Sequence, residues 1–283
     1  RAVLRGMISA GLARFNIDEF FINFGGPSLK IAVREEPSED KLLLKGDVEI
    51  RDMPIDKLPK YWPREAYVDV REWVDEELSY GGISETSAIF SAVVDTRDKP
   101  SVKITSINGT LKFYDLDVEY ADDFPLITGV DGTAVFDASK IEFTVTEGKH
   151  EELTIVSGTV LLHELESDNE QARVDLNIEA PVQRALETLD HPELRYLEKI
   201  DLSPDRFEGE AAIHLLVDFP LLDDLSLGDL EVTSEAILRR ASFKEVLPGV
   251  DLEKGELRVE FEGSHLSVGG EAEIGGVPAQ VFW

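Results

Sequence analysis

The feature that most constrains this chain is a strict alternation of apolar and polar residues, clearest over residues 172–180, Ala-Arg-Val-Asp-Leu-Asn-Ile-Glu-Ala. Successive side chains of a β-strand point to opposite faces, so this stretch would have one apolar and one hydrated face. The pattern recurs around residues 88–94, 141–146, 213–219 and 256–262. It predicts a long, mostly antiparallel, meandering sheet with one continuous apolar surface.

What covers that surface decides the fold class. A second sheet would give a β-sandwich, in which alternating strands bury their apolar faces against each other. A single open sheet would leave the surface for a non-protein ligand. The alternation alone fits both arrangements.

The composition narrows the classes of function. The chain has 283 residues, of which 42% are hydrophobic, enough for a substantial core in one large or two ordinary domains. A formal net charge of -30 disfavours nucleic acid as a partner and direct docking on an anionic membrane, because like charges repel. The same acidic excess is also typical of a soluble sheet with an acidic outer face.

The sequence lacks the usual patterns of catalytic and metal sites. It has no cysteine, which excludes disulfides, zinc–thiolate sites and thiol chemistry. Its five histidines show no H-E-x-x-H pattern and no H-x-H spacing, and there is no nucleophile elbow or phosphate-binding loop. We therefore expect a protein that is not an enzyme, with no catalytic residue, no metal, no cofactor and no nucleotide partner.

Short helices interrupt the predicted strands. Apolar residues at helical intervals over Ala2–Phe15 predict the first helix. Pro63 begins a second helix, which carries Trp73 on its inner face, and Pro181 begins a third. The apolar parity switches in the strand around Tyr114, which predicts a β-bulge there.

An internal similarity indicates repeated hairpins. A Gly-Val-Asp turn that leads into an alternating strand occurs at residues 129–131 and again at 249–251. We expect residues 1–283 to form one continuous segment, with sub-repeats at 20–180 and 181–283.

Several short motifs resemble those of a known family. They are Tyr61-Trp62-Pro63, Arg71-Glu72-Trp73-Val74, Gly81-Gly82-Ile83, the helix that follows Ala180-Pro181, Pro192-Glu193-Leu194, and Phe207-Glu208-Gly209-Glu210-Ala211. In these motifs the chain resembles large bacterial AsmA-like proteins of the YhdP branch, which are related to TamB. The resemblance covers Phe20 to Trp283, and none of its motifs is catalytic.

The resemblance implies a long sheet that curls lengthwise into an open groove and acts as a non-enzymatic bridge for phospholipid between the inner and outer membranes. It also implies a periplasmic location and an inner-membrane anchor outside these residues. Membrane proteins at the ends of the full-length bridge would be partners. This chain would be one internal length of that bridge.

A lipid that moves through such a groove needs an unbroken apolar track. Exposing each methylene to water costs about 0.8 kcal/mol, so an acyl chain of about sixteen carbons would cost on the order of 12 kcal/mol. Phospholipid acyl chains are therefore the expected ligand. The candidate wall residues are Phe143, Val145, Leu176, Ile178, Leu215, Val217, Val259 and Phe261.

Other functions remain open at this point. A periplasmic scaffold made of β-repeats would bind protein partners and carry no lipid. A glycan-active enzyme on a β-solenoid would need two carboxylates that face each other across a cleft. In a sandwich, the candidate wall residues would simply be core.

Overall fold

The computed structural model describes residues 1–8, 15–36, 42–61, 68–95, 101–120, 124–167, 169–190, 203–222, 225–263 and 265–283. Among these residues, sixteen strands form one open antiparallel sheet, with β1 and β16 at its edges. The sheet confirms the predicted mostly β, meandering fold rather than the two stacked sheets of a sandwich. The chain divides into two compact units, Arg1–Thr144 with His163–Asp168 and Val145–Leu162 with Asn169–Trp283.

The first unit contains the strands from the amino terminus to the middle of β9. They are β1 (Ala2–Ile8), β2 (Phe15–Asn23), β3 (Ser28–Glu36), β4 (Leu42–Pro54), β5 (Leu78–Ser79), β6 (Gly82–Asp95), β7 (Ser101–Val118), β8 (Ile127–Asp137) and β9 (Lys140–His150). Strands consecutive in sequence pair with each other, except that the short β5 pairs with β7 and β4 pairs with β6.

The second unit continues the meander. Its strands after β9 are β10 (Leu153–His163), β11 (Gln171–Pro181), β12 (Phe207–Pro220), β13 (Glu231–Leu247), β14 (Val250–Glu262), β15 (His265–Ile274) and β16 (Val277–Phe282). Each strand from β11 to β15 pairs antiparallel with the next.

The described residues include three short helices, which lie in two of the strand connections. Helices α1 (Leu58–Tyr61) and α2 (Val68–Glu77) lie between β4 and β6, and α3 (Val182–Leu189) lies between β11 and β12. Pro181 caps the amino end of α3, as predicted. Pro63 lies outside the described residues. Single 3-10 turns occur at Ile55–Lys57, Pro204–Arg206 and Leu227–Asp229.

The predicted first helix is wrong over the part that the structure describes. Residues Ala2–Ile8 form β1, which pairs with β2 from Ala2 opposite Ile22 to Ile8 opposite Phe15. Residues 9–14 lie outside the described part. Gly6 weakens a helix, and the apolar, aromatic β2 offers a cross-strand partner that local spacing cannot reveal.

The side of α2 that faces the protein also differs from the prediction. Trp73 is 40% exposed, whereas the adjacent Val74 is 7% exposed, so Val74 and not Trp73 faces the protein. The β-bulge predicted near Tyr114 is confirmed. The register of β7 against β8 shifts after Phe113, and Asp115 has a φ of 53°.

Candidate functional site

The second unit places the predicted wall residues of β11 and β12 on one side of the sheet. Leu176 is directly opposite Leu215, and Val217 is directly opposite Val174. Directly opposed residues of an antiparallel pair point to the same face. Because Ile178 is two positions from Leu176, it shares that face as well.

Pairing through β13 to β15 extends the same face. Ala236 links Ile213 of β12 to Val259 of β14, and Phe261 is opposite both Ser234 and Leu266. The residues that pairing adds to the face from β13 to β16 are Val232, Ser234, Ala236, Leu238, Leu257, Val259, Phe261, Leu266, Val268, Gly270, Ala272, Ile274, Val277, Ala279 and Val281. None is charged, and Ser234 is the single polar side chain in that set. We call this side of β11–β16 the second-unit apolar face.

The opposite side of the same strands is polar. Arg173 pairs with Asp218 at 2.6 Å across β11 and β12. Arg258 bridges Glu235 and Glu260 at 2.8 and 2.7 Å. These ion pairs are exposed, so they add little stability. They show instead that this side of β11–β16 is hydrated, in contrast to the second-unit apolar face.

Large side chains of the second-unit apolar face differ in burial. Leu176 and Leu257 are buried, at 9% and 8% exposed, whereas Ile178, Leu215 and Phe261 keep part of their surface open. No second sheet covers them among the residues that the structure describes. The tips of these side chains are therefore available to a ligand.

The first unit has a corresponding apolar face. Register across β3 to β8 aligns Val48 with Ile31 and Ala88, and continues to Gly109 and Phe136. We call this side the first-unit apolar face. Its polar exceptions among the described, paired residues of β3 to β8 are Thr86, opposite Ile50 and Leu111, and Glu35, opposite Leu44 near the other end of β4.

The two remaining predicted wall residues are in β9. Phe143 lies in the first unit, where its ring meets that of Phe113 edge to face, with centroids 6.2 Å apart. Val145 lies in the second unit and is 7% exposed. Phe143 therefore adjoins the first-unit apolar face, and Val145 is core of its own unit.

Three phenylalanine rings of the first-unit apolar face lie across glycines of neighbouring strands. A Cβ on Gly46 would be 2.5 Å from Phe90 Cζ, and one on Gly132 would be 2.6 Å from Phe113 Cζ. Phe136 covers Gly109 in the same way. Each ring thus occupies the space that a side chain on its glycine would need, a form of aromatic rescue.

In each unit, a helical segment adjoins one strand end of the apolar face. In the first unit, the most buried side chains include Met53 (1%), Ile55 (3%) and Ile83 (6%), and the Ile55–Lys57 turn contacts β6. In the second unit, α3 contacts β11 and β12, and its Val182 is 4% exposed. Each face is thus well covered at one end and more open elsewhere.

Two kinds of feature, metal-ligating clusters and membrane-spanning helices, are absent from the described residues. They contain no group of three or more His, Asp or Glu side chains that could hold a metal ion. The described helices include none that is long and apolar enough to cross a membrane. The asymmetry between the two sides of the sheet is the feature that calls for a functional explanation.

Comparison with known families decides the relationship. The family model described as YhdP protein matches residues 27–281. The chain belongs to the YhdP family. No curated protein and no solved structure matches it. In this YhdP-family chain, the AsmA-like resemblance seen in the short sequence motifs is confirmed.

Sequence reasoning identified the apolar stripes of the sheet and missed two polar residues that are buried or partly buried, Thr86 and Arg71. Thr86 stands at the apolar parity of the Ala88–Phe90 stretch, so a polar residue in register with an apolar stripe was the available signal. Arg71 was recognised only as part of a motif. Its partial burial depends on the docking of α2, which no local pattern shows.

Proposed function

We propose that this YhdP-family chain is a non-enzymatic segment of a lipid conduit, whose apolar faces shield phospholipid acyl chains. The observation that supports the proposal most strongly is the second-unit apolar face. Six consecutive strands contribute to it, its paired residues carry no charge, and several of its large side chains, such as Ile178 and Phe261, are partly open.

The energetics of lipid transfer agree with this arrangement. A diacyl lipid cannot move through water without exposing its chains, at about 0.8 kcal/mol per methylene. An uncharged, apolar surface keeps the acyl chains out of water along the path. No specific hydrogen bond to the lipid is needed. The phosphate-bearing head can remain in water.

The remaining parts of the proposal concern the cellular setting. A groove formed by lengthwise curling of the open sheet would run across the periplasm between the inner and outer membranes. The chain would be held to the inner membrane by a segment outside these residues. Membrane proteins at the ends of the full-length bridge would load and receive the lipid.

The alternative is a β-repeat scaffold that binds protein partners and carries no lipid. The charged side of the sheet is compatible with both functions. A scaffold, however, gives no reason for a large apolar surface that stays partly open, because such patches promote aggregation unless they are covered.

Lipid extraction of the purified chain tests the proposal. Organic extraction followed by mass spectrometry should recover at least about one molecule of diacyl phospholipid per protein chain. A purified protein without an apolar groove, such as hen lysozyme, washed over the same resin serves as a control for carry-over. A monodisperse chain with no bound lipid would favour the scaffold.

A further inference from the structure

Every tyrosine that the structure describes lies at one strand end of the first unit. These are Tyr61, Tyr80, Tyr114 and Tyr120, and the side chain of each is exposed. At that end β4 and β7 end and β6 begins, and α1 and α2 lie there as well. Exposed apolar side chains that are scattered singly need no explanation, whereas a concentration of them marks a site of interaction.

Tyr80 and Tyr114 are neighbours across the pairing of β6 with β7. Gly82 is directly opposite Tyr114, and the backbone of Gly81 lies against the carbonyl oxygen of Tyr114. Tyr80, which precedes Gly81 between β5 and β6, is therefore beside the bulge of β7. Because Phe113 belongs to the first-unit apolar face, the adjacent Tyr114 points to the opposite, hydrated side.

Trp73 and Tyr120 adjoin the same region through the end of α2. The N–H of Glu119 donates to the carbonyl oxygen of Glu77 at 2.9 Å, which places Tyr120 next to the last turn of the helix. Trp73 precedes Glu77 by one helical turn, and α2 contacts β5. The residues that these contacts bring together, which we call the aromatic patch, are Trp73, Tyr80, Tyr114 and Tyr120.

Tyr80 has a strained backbone that its packing does not explain. Its φ of 59° lies in the left-handed region, which disfavours residues with a Cβ and is usually occupied by glycine or asparagine. Its side chain is 70% exposed, so burial of the ring does not compensate for the strain. Strained residues cluster at binding sites, which indicates that this ring is held out for a partner.

The chain around the aromatic patch is acidic. Residues 71–81 and 112–120 contain seven acidic and two basic residues. Asp75 and Glu76 on α2 and Asp115 on β7 are among the exposed acids. This charge repels an anionic membrane or a nucleic acid and attracts a cationic partner. Among cationic side chains, the planar guanidinium of arginine stacks on aromatic rings and also pairs with carboxylates.

The area of the aromatic patch fits a short segment. Between 40% and 70% of each of its four side chains is exposed, which at about 150–250 Å² per aromatic residue leaves about 300–500 Å² for contact. A standard interface between folded proteins buries about 800 Å² on each partner. The patch is too small for a second copy of this chain, and a short stretch of a partner protein can cover it.

We propose that the aromatic patch binds an arginine-bearing segment of a partner protein. The guanidinium groups stack on the exposed rings, and the surrounding carboxylates pair with them at the edge of the contact. This surface is distinct from the first-unit apolar face, because Tyr114 points to the other side of the sheet. The proposal therefore does not depend on lipid binding.

The experiment compares two peptides of equal charge and length. Fluorescently labelled peptides of alternating arginine and glycine, or of alternating lysine and glycine, are titrated with the purified chain, and anisotropy gives both dissociation constants. Wild type should bind the arginine peptide at least several-fold more tightly, because an ammonium group stacks on rings less well than a guanidinium. General attraction to an acidic surface would act on both peptides alike.

Tyr80→Asn separates a binding role from a structural one. Asparagine tolerates the left-handed region better than tyrosine, so the melting temperature should be equal or higher. The preference for the arginine peptide should nevertheless be mostly lost. Phe282→Asn removes an exposed ring from the second unit without changing the charge, and it should keep the wild-type preference. Glu76→Gln should weaken the binding of both peptides by a similar factor.

Two results would overturn this assignment. One is equal affinity of wild type for the two peptides, and the other is an unchanged preference in Tyr80→Asn. Vesicles of neutral phosphatidylcholine are tested in parallel. If the chain binds them through Tyr80 and shows no preference between the peptides, the patch contacts a membrane and not a protein. Lipid extraction tests the proposed function separately, so failure of either proposal leaves the other standing.

Discussion

The carboxylate of Asp131 accepts a hydrogen bond from the backbone N–H of Asp115 at 2.7 Å, and Asp115 has a left-handed φ of 53°. Asp251 does the same for Glu245, also at 2.7 Å and with a φ of 53°. Both acceptors belong to the two Gly-Val-Asp segments of the sequence. The similarity therefore corresponds to a shared local structure, in which an aspartate fixes an irregular residue of the preceding strand.

Removal of either aspartate should destabilise its unit. A hydrogen bond to a charged acceptor is worth more than a neutral one, and solvent exposure reduces the value here, so we expect Asp131→Ala to cost about 1 kcal/mol. Asp251→Ala should cost a similar amount. Urea denaturation measures both, with Glu179→Ala, an exposed carboxylate on β11, as the control. Equal midpoints in all three variants would contradict the shared role.

A methyl group on Gly46 should displace the Phe90 ring of the first-unit apolar face. The added Cβ would be 2.5 Å from Phe90 Cζ and 2.7 Å from the carbonyl oxygen of Ala32. Overpacking of this kind costs about 1–3 kcal/mol. Gly26→Ala, where nothing lies within 4 Å of the added atom, should change stability by less than about 0.5 kcal/mol. Equal melting temperatures of the two variants would show that the packing of Phe90 does not require glycine at position 46.

Much of this fold could be read from the sequence because its strands alternate strictly. Period-two stripes such as Leu176–Ile178 identify both the strand and the side of each residue, and proline at 181 marks the helix that follows. The pairing of Ala2–Ile8 could not be read, because β1 has no clean alternation and its partner strand begins only at Phe15. Local spacing favoured a helix there, and cross-strand pairing decided otherwise.

The burial of individual polar residues was less predictable. A threonine such as Thr86 is common in strands, and only its burial without a hydrogen bond distinguishes it. The partial burial of Arg71 depends on the orientation of α2. That orientation depends on tertiary packing, as the contrast between Trp73 and Val74 shows.

The contrast between Trp73 and Val74 can be measured directly. Val74 is 7% exposed, so Val74→Ala should cost about 1.5 kcal/mol through the loss of two buried carbons. Trp73 is 40% exposed, so Trp73→Ala should cost much less than the 3–5 kcal/mol typical of a fully buried tryptophan. Guanidinium denaturation gives both values. A loss of 3 kcal/mol or more for Trp73→Ala would place the indole in the core.

The carboxyl group of Asp137, at the turn between β8 and β9, should have a pKa below the ordinary carboxyl range. The hydroxyl and the backbone N–H of Ser139 lower the pKa of Asp137, and the N–H of Lys140 adds to the effect. Because the folded-state pKa is depressed, the stability that these bonds contribute is present above the unfolded pKa and is lost as pH falls through the folded value.

Ser139→Ala removes the largest cause of that shift. The pKa of Asp137 should therefore rise toward its ordinary value, which a carbon-detected NMR titration can follow. Asp229, whose pKa is lowered by Ser226 in a separate turn, serves as the internal control and should not move. An unchanged Asp137 pKa would show that the hydroxyl bond does not form in solution.

The central claim is that acyl chains lie on the second-unit apolar face. It is tested by placing a charge on one side of β11 or on the other. Ile178 is opposite Ile213 on that face and is partly buried, and the adjacent Asn177 is opposite His214 on the polar side. Ile178→Asp and Asn177→Asp add the same charge to neighbouring residues on opposite sides. In an open face, a carboxylate at 178 can reach water, so both variants should fold.

Lipid content per folded chain is the deciding measurement. We expect Ile178→Asp to retain wild-type circular dichroism but to carry several-fold less phospholipid, because a charge interrupts the apolar track. Asn177→Asp should carry the wild-type amount. Equal lipid content in the two folded variants, or unfolding of Ile178→Asp alone as for a carboxylate in a closed core, would contradict the account.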